Sequence, residues 1–266
     1  MESLRTTYKS ALLTMTRVIF ALTLRETKTR YGRLQLGYLW AFLEPVLIVT
    51  VLGLIFTYMR LGSSMGLPLI QFLITGYMSF MLFRDVLTQT MLAIRPNQQL
   101  LYFPQVQVFD LGAARALLEL CTFIIVFSLL LVLVAFTEME VVQIEDPLGI
   151  LLAILMIALY AYGIGTALGA LIPLFPSLQF LVQTVYIRPI FFLSGVFYTI
   201  EMIPEKVRPY AILNPMLQLI EMLRSAYFPG YESTHVNYPY LIGMIFCTIF
   251  IGLLMQRALR RYAFQI

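Results

Sequence analysis

Long apolar stretches alternate with short polar ones along most of this chain. A helix needs about 20 apolar residues to cross the hydrocarbon core of a bilayer. By that measure six spans are predicted: Trp40–Met59, Leu67–Leu87, Gly112–Phe136, Leu148–Ile172, Leu178–Thr199 and Pro239–Met255. They leave no soluble domain over, so the expectation is an all-α membrane protein with six transmembrane helices in one domain, residues 1–266. Ahead of the first span, in the segment 1–39, Leu4, Tyr8, Leu12, Met15, Ile19 and Leu22 recur at steps of three or four, opposite Arg5 and Lys9. Such a stripe marks an amphipathic helix. Its apolar core of about 14 residues is too short to span, which predicts a helix lying in the membrane interface.

The segment 200–238, between the fifth and sixth spans, follows another pattern. Pro204, Pro209, Pro215 and Pro229 punctuate it, yet Met216 to Phe228 keeps helical spacing through Leu217, Ile220, Leu223 and Tyr227. A half-apolar helix of this kind either re-enters the bilayer against protein or lies on the membrane, and the residues leave both readings open. Glu221 and Arg224 stand three apart on it, a spacing that allows a side-chain pair.

Composition agrees with a polytopic bundle. Sixty per cent of residues are hydrophobic and only 12% charged, against about a quarter charged in soluble domains. The basic residues gather between apolar runs instead of covering one polar surface, which is a topology signal and not a nucleic-acid footprint. With the N-terminus inside, thirteen Lys and Arg fall in the inner segments 1–39, 84–115 and 256–266, and four in the outer segments 60–66, 137–147 and 200–238. This bias places both termini in the cytoplasm and 200–238 on the outer side of the membrane. The stretch Ala11–Leu24 contains Arg17 and lacks a small-residue cleavage site, so the first span is expected to insert uncleaved. Cys121 and Cys247 fall inside apolar runs, where they read as small packing residues and not as a disulfide.

Candidate chemistry is sparse. No G-x-x-x-x-G-K-[ST] phosphate loop occurs, so ATP hydrolysis is not expected of this chain. There is no H-E-x-x-H, and His235 is the single histidine, so a histidine metal cluster within one subunit is excluded and neither metal nor cofactor is expected. Gly62-Ser-Ser-Met-Gly66 matches the hydrolase nucleophile elbow by letter, but that mechanism needs a strand-to-helix turn and a histidine base, and a flexible turn is the reading. Arg188 stands mid-span before Pro189, either facing a lumen where it meets an anionic substrate or pairing with a carboxylate such as Glu119. Phe191, Phe192 and Tyr198 could stack on sugar rings or belong to an aromatic belt. Gly165 and Gly169, with Ala161 and Gly163, form a small-residue face for close helix contact within or between subunits. Arg30 and Tyr31 precede the first span; Tyr38 and Trp40 suit the headgroup layer, and Glu44 and Pro45 suit the first turn of an entering helix. The loop Ile94–Val106 presents Leu100, Leu101, Tyr102 and Phe103 as an exposed apolar cluster between Pro96 and Pro104, which points to a protein partner or the membrane surface.

Two series of residues resemble a known family. Arg30-Tyr31, then Leu36-Gly-Tyr-Leu-Trp40 and Pro45, resemble the opening of ABC-2 type export permeases. Pro173-Leu-Phe-Pro176, Arg188-Pro-Ile-Phe-Phe-Leu-Ser-Gly-Val-Phe-Tyr198, Asn214-Pro215 and Phe228-Pro-Gly-Tyr231 resemble the permease subunit of Gram-negative capsular polysaccharide exporters. The resemblance implies an inner-membrane permease that exports a lipid-anchored polysaccharide, with ATP and Mg bound by two partner ATPase subunits; one six-helix bundle is small for a polymer conduit, so a homodimer is expected. It implies a coupling helix for those subunits, with Arg95, Asn97, Leu100, Leu101, Tyr102, Phe103 and Pro104 as candidates. Arg188, Phe191, Phe192, Tyr198, Trp40 and Tyr38 are the candidates for the conduit. It further implies contact with a periplasmic co-polymerase and an outer-membrane exporter. The alternatives are an ABC permease for O-antigen, teichoic acid or another cargo, an ion-coupled secondary transporter, and a membrane enzyme acting on a lipid-linked sugar.

Overall fold

Among the described residues every regular element is a helix. The computed structural model describes residues 2–31, 36–58, 67–103, 105–138 and 144–259. In chain order these carry α1 (Glu2–Tyr31), α2 (Leu36–Tyr58), α3 (Leu69–Met91), a 3-10 helix (Arg95–Tyr102), α4 (Val108–Glu138) and α5 (Pro147–Leu171). Next come α6 (Leu178–Leu181), a π-helical stretch (Val182–Ile187), α7 (Arg188–Leu193) and a 3-10 turn (Ile200–Met202). The last are α8 (Arg208–Ala211), α9 (Pro215–Tyr227) and α10 (Tyr238–Leu259).

Among the described residues four helices are long and apolar enough to cross a membrane: Leu69–Met91, Val108–Phe136, Pro147–Leu171 and Tyr238–Leu259. Each matches a predicted span to within a few residues. The predicted spans Trp40–Met59 and Leu178–Thr199 correspond to shorter apolar helices, Phe42–Tyr58 and Leu178–Leu193. The second of these stops at Leu193 because Gly195 takes a left-handed φ of 74° and turns the chain back. Its π-helical stretch has a local cause. Pro189 has no N–H to give, and in an α-helix its ring would collide with the carbonyl four residues earlier; a wider turn relieves both.

Two helices start on the same device. The Asp146 carboxylate accepts from Leu148 N at 3.1 Å, and the Asn214 amide oxygen accepts from Met216 N at 3.1 Å. Pro147 and Pro215 occupy the first helical position, where no N–H is needed.

Helix α3 runs through the centre, with Gln71 to Phe80 all buried. Helices α4, α5, α2 and α9 surround it. All of α9 except Ser225 is buried, and it wedges against the N-terminal ends of α3 and α5. There the Tyr227 hydroxyl donates to Gln71 Oε1 at 3.2 Å and Asp146 N donates to Ala226 O at 2.9 Å. Helix α1 docks through Leu22, Val18 and Ile19 onto Ala93, Ile94, Leu101, Leu111 and Ala114.

The small-residue face of α5 lies within the subunit. A Cβ on Gly163 would fall 2.6 Å from Thr248 Oγ1 and 2.8 Å from Ile249 N of α10, and one on Gly252 of α10 would fall 2.9 Å from Gly163 O. Gly165 and Gly169 face α3 instead, at 2.8 Å from Leu87 O and 3.1 Å from Met91 O. Backbones this close leave no room for a methyl group, which is how apolar helices gain packing in lipid. Cys121 and Cys247, expected as packing residues, are both exposed, because they fall on the outward faces of α4 and α10.

Gly163→Val is therefore expected to force α5 and α10 apart, at a cost of about 1–3 kcal/mol or more. Gly243→Ala, with nothing within 4 Å of the added carbon, is expected to be neutral or stabilising by about 0.5–1 kcal/mol. Thermal unfolding of the detergent-solubilised protein compares them, and equal melting points would remove the close-crossing argument.

Candidate coupling site and a buried ion pair

The chain leaves α3 and enters the 3-10 helix Arg95–Tyr102, with Pro96 in its first turn. The expected apolar cluster is divided there. Leu101 is buried among Leu22, Ala93, Ile94, Leu111 and Ala114, and Leu100 packs partly on the same group. Tyr102 and Phe103 remain 79% and 61% exposed, and Arg95 is exposed beside them. A turn with three residues per revolution cannot point four successive side chains one way. Leu101 therefore anchors the element, while Tyr102 and Phe103 are what it presents.

Asn97 is buried and holds the element to α1. Its Nδ2 donates to Glu26 Oε1 at 2.7 Å and to Ala93 O at 3.2 Å, and its Oδ1 accepts from Arg25 Nη1 at 3.0 Å. Arg115 of α4 closes the group. Its Nε and Nη2 both reach Glu26 Oε1 at 3.3 Å, and its Nη1 donates to Gln89 O at 3.4 Å and Leu92 O at 3.2 Å. Those carbonyls end α3, where a cation also meets the negative end of the helix dipole. Arg25, Glu26 and Arg115 were not among the predicted residues. A weak signal for Arg115 was present, since it falls in the first turn of the apolar run Gly112–Phe136, although it also counts with the inner segment 84–115.

The assignment of Glu44 and Pro45 to a first helical turn is corrected. Helix α2 begins at Leu36, so Pro45 lies inside it, buried, and Glu44 is too far along to serve the N-terminal dipole. Glu44 Oε1 instead pairs with Arg84 Nη2 at 3.4 Å, while Arg84 Nε holds Asp85 Oδ1 at 2.8 Å. This trio ties α2 to α3.

At the other end of α3 lies the Glu221–Arg224 pair anticipated from spacing. Both side chains are fully buried, with Nη1 3.6 Å from Oε1. Arg224 donates Nη1 to Tyr198 O at 2.9 Å and Nη2 to Val196 O at 3.0 Å, and its guanidinium stacks 3.8 Å from the Phe72 ring centroid. Glu221 accepts from Ile200 N at 3.3 Å through Oε1 and from the Tyr231 hydroxyl through Oε2. Burial, and then the Glu221 carboxylate, push the Tyr231 phenol well up, so it stays a donor. Gly76 of α3 makes room for the arrangement; a Cβ there would sit 2.5 Å from Val196 O and 2.6 Å from Arg224 Nη2.

The conduit candidates fall apart into two sets. Phe191 is a packing residue, with ring centroids 4.9 Å from Phe80, 5.2 Å from Phe197, 5.3 Å from Phe192 and 6.4 Å from Tyr77. Tyr198 is half-buried and serves Arg224 through its carbonyl. Arg188, Phe192 and Trp40 are exposed on the single chain. Among the described residues no ion pair joins Arg188 to Glu119, which is buried. The side chains of Arg30, Tyr31 and Tyr38, residue Pro104 and the turn Gly62–Gly66 lie outside the described residues.

Among the described residues, four apolar helices of membrane-crossing length, with ion pairs set along α3 and at its two ends, mark an integral membrane protein. The chain belongs to the ABC-2 type transporter family, whose model matches residues 17–228. It is 33% identical over 237 residues to the polysialic acid transport protein KpsM of Escherichia coli, covering 89% of this chain and 91% of that one. It is 32% identical over 254 residues to the capsule polysaccharide export inner-membrane protein CtrC of Neisseria meningitidis, covering 94% and 93%. With the capsule polysaccharide export inner-membrane protein BexB of Haemophilus influenzae the identity is 30% over 258 residues, 95% of each chain.

Removing one partner of a buried pair strands the other charge. Glu221→Leu and Arg224→Met alone are each expected to destabilise the fold by about 3–5 kcal/mol, and the double variant by less than either. Unfolding of the three purified variants in detergent is the measurement; additive losses would refute direct coupling of the two charges.

Proposed function

We propose that this chain is the permease of an ATP-driven exporter that moves a lipid-anchored capsular polysaccharide outward across a bacterial inner membrane. The observation that carries the reading is similarity along nine-tenths of the chain to relatives named for polysialic acid transport and capsule polysaccharide export. Those names favour capsule over O-antigen or teichoic acid as cargo. In this reading the chain forms one membrane domain over 1–266, and α2 and the helix Leu178–Leu193 complete six crossings. Helix α1 lies in the inner interface, both termini are cytoplasmic, and α9 re-enters from the periplasmic side within the segment 200–238. The excess of Lys and Arg in the inner segments supports that orientation.

The permease works as a homodimer. Arg188 lies at the start of α7, inside an apolar helix, and is exposed on the single chain. Facing lipid there would cost several kcal/mol, so a second copy opposite it, enclosing a wet conduit, accounts for its position. Arg188, Phe192 and Trp40 then line the polymer path. ATP and Mg belong to two ATPase subunits that dock on Tyr102 and Phe103. Differential affinity of those subunits for two permease conformations supplies the drive, and no covalent chemistry is asked of this chain. A periplasmic co-polymerase, and through it an outer-membrane exporter, would meet the segment 200–238.

Affinity purification from native membranes with mass spectrometry tests the class; a stoichiometric ATPase is expected, and a preparation without one would overturn the reading. Tyr102→Asp with Phe103→Asp is expected to lower ATPase co-purification by about tenfold or more while the protein still inserts, since an exposed apolar anchor is lost. Arg188→Ala is expected to reduce surface polysaccharide with the dimer intact, and Arg188→Lys to retain part of it. Degradation of the alanine variant would point to a structural role instead.

A further inference from the structure

We infer that Arg115, through Glu26 and Asn97, is the positioning residue that turns movement of the 95–102 element into movement of the helices. The inference rests on the transporter reading above and adds residues to it. The 95–102 element is joined to the bundle in two ways. The apolar contact of Leu101 with Leu22, Leu111 and Ala114 is non-directional and permits sliding. The polar contacts do not permit it, because each hydrogen bond fixes a donor against one acceptor.

A single carboxylate oxygen is the meeting point. Glu26 Oε1 accepts from Asn97 Nδ2 on one side and from Arg115 Nε and Nη2 on the other. Arg115 in turn holds the Gln89 and Leu92 carbonyls at the end of α3. Four elements, α1, α3, the 3-10 helix and α4, are thereby held in one register by side chains that are mostly buried; Arg115 is 12% and Glu26 17% exposed. A planar fork with five donors can serve a carboxylate and two carbonyls at once, which the ammonium of a lysine at the same site cannot reproduce. A push received at Tyr102 and Phe103 then displaces the last turn of α3 together with α4 and α1, where a free loop would absorb it.

The test uses the full permease with its ATPase subunits in proteoliposomes, reading ATP hydrolysis and polysaccharide transport together. Arg115→Gln and Glu26→Gln are expected to bind the ATPase in wild-type amount and hydrolyse ATP, yet transport about tenfold less polymer per ATP, with Arg115→Lys between. Because either variant could be misfolded, covalent rescue is the second measurement. Thr23 Oγ1 lies 3.4 Å from Ala114 O, which sets α1 beside α4 there, so Thr23→Cys with Ala114→Cys is the pair chosen to tether them, in an Arg115→Gln, Cys121→Ser, Cys247→Ser background. Oxidation is expected to restore transport per ATP and reduction to remove it. Unchanged transport per ATP in Arg115→Gln overturns the inference, and so does a disulfide that forms without restoring it. Loss of ATPase binding overturns it as well, since Arg115 would then act on docking. Wild-type protein that transports on ATP keeps the transporter reading in all three cases, whereas wild-type protein that recruits no ATPase overturns that reading itself.

Discussion

A guanidinium without exposed surface has to find its counter-charge and its acceptors inside the protein, because a stranded charge there costs several kcal/mol. Arg224 finds the Glu221 carboxylate one helical turn earlier, the Val196 and Tyr198 carbonyls, and the face of Phe72. Those two carbonyls can serve only if they are free of helical bonding. Helix α7 must therefore end before them, and the chain turns at Gly195 with a φ that side-chain-bearing residues rarely adopt. Gly76 has to lack a side chain for the same reason. Glu221 then draws in Ile200 N and Tyr231, which fixes the 3-10 turn and the chain after α9. One buried charge thus accounts for the shape of the segment 194–231.

The remainder of the bundle meets a different constraint. Lipid tails are as apolar as leucine, so helices in a membrane gain little from mere burial against one another and must pack closely or bond. Helix α5 does the first, through Gly163 against α10 and Gly165 and Gly169 against α3. Helix α3 does the second at both of its ends. The two means are complementary, since glycine contacts set how near the axes come and the polar groups set their register.

Hydropathy made the long helices legible. Pro147–Leu171 was expected at Leu148–Ile172, and Leu69–Met91 at Leu67–Leu87, because the cost of placing a polar side chain in lipid is written directly in the residue order. The spacing of Glu221 and Arg224 was legible as well, since positions three apart share a helix face. What escaped was decided by backbone groups. The end of α7 depends on which carbonyls Arg224 needs, and a hydropathy window that counts side chains carries Leu178–Leu193 on to Thr199. Pro45 was placed in a first turn because the basic run before Trp40 put the start of the span there, yet the helix already runs from Leu36. Leu101 looked like its neighbours Tyr102 and Phe103 in composition and differs only in direction. Phe191 was open between a sugar platform and an aromatic belt and is a packing hub, a distinction that depends on which rings the fold brings to it.

The two polar centres share a design, and α3 connects them. At one end Arg115 holds two carbonyls and the Glu26 carboxylate; at the other Arg224 holds two carbonyls and the Glu221 carboxylate. Between them α3 runs 23 residues, about 34 Å at the usual rise, with Arg84 attached to Glu44 of α2 on the way. A buried helix gripped at both ends has little freedom to bend or slide independently, because its backbone bonds are satisfied and its side chains close-packed. A displacement at its C-terminal turn is therefore carried to the Arg224 centre, and with it to the turn 194–200 and α9. A displacement received on the 95–102 side thus has, in α3, a continuous buried route to the opposite face of the bundle.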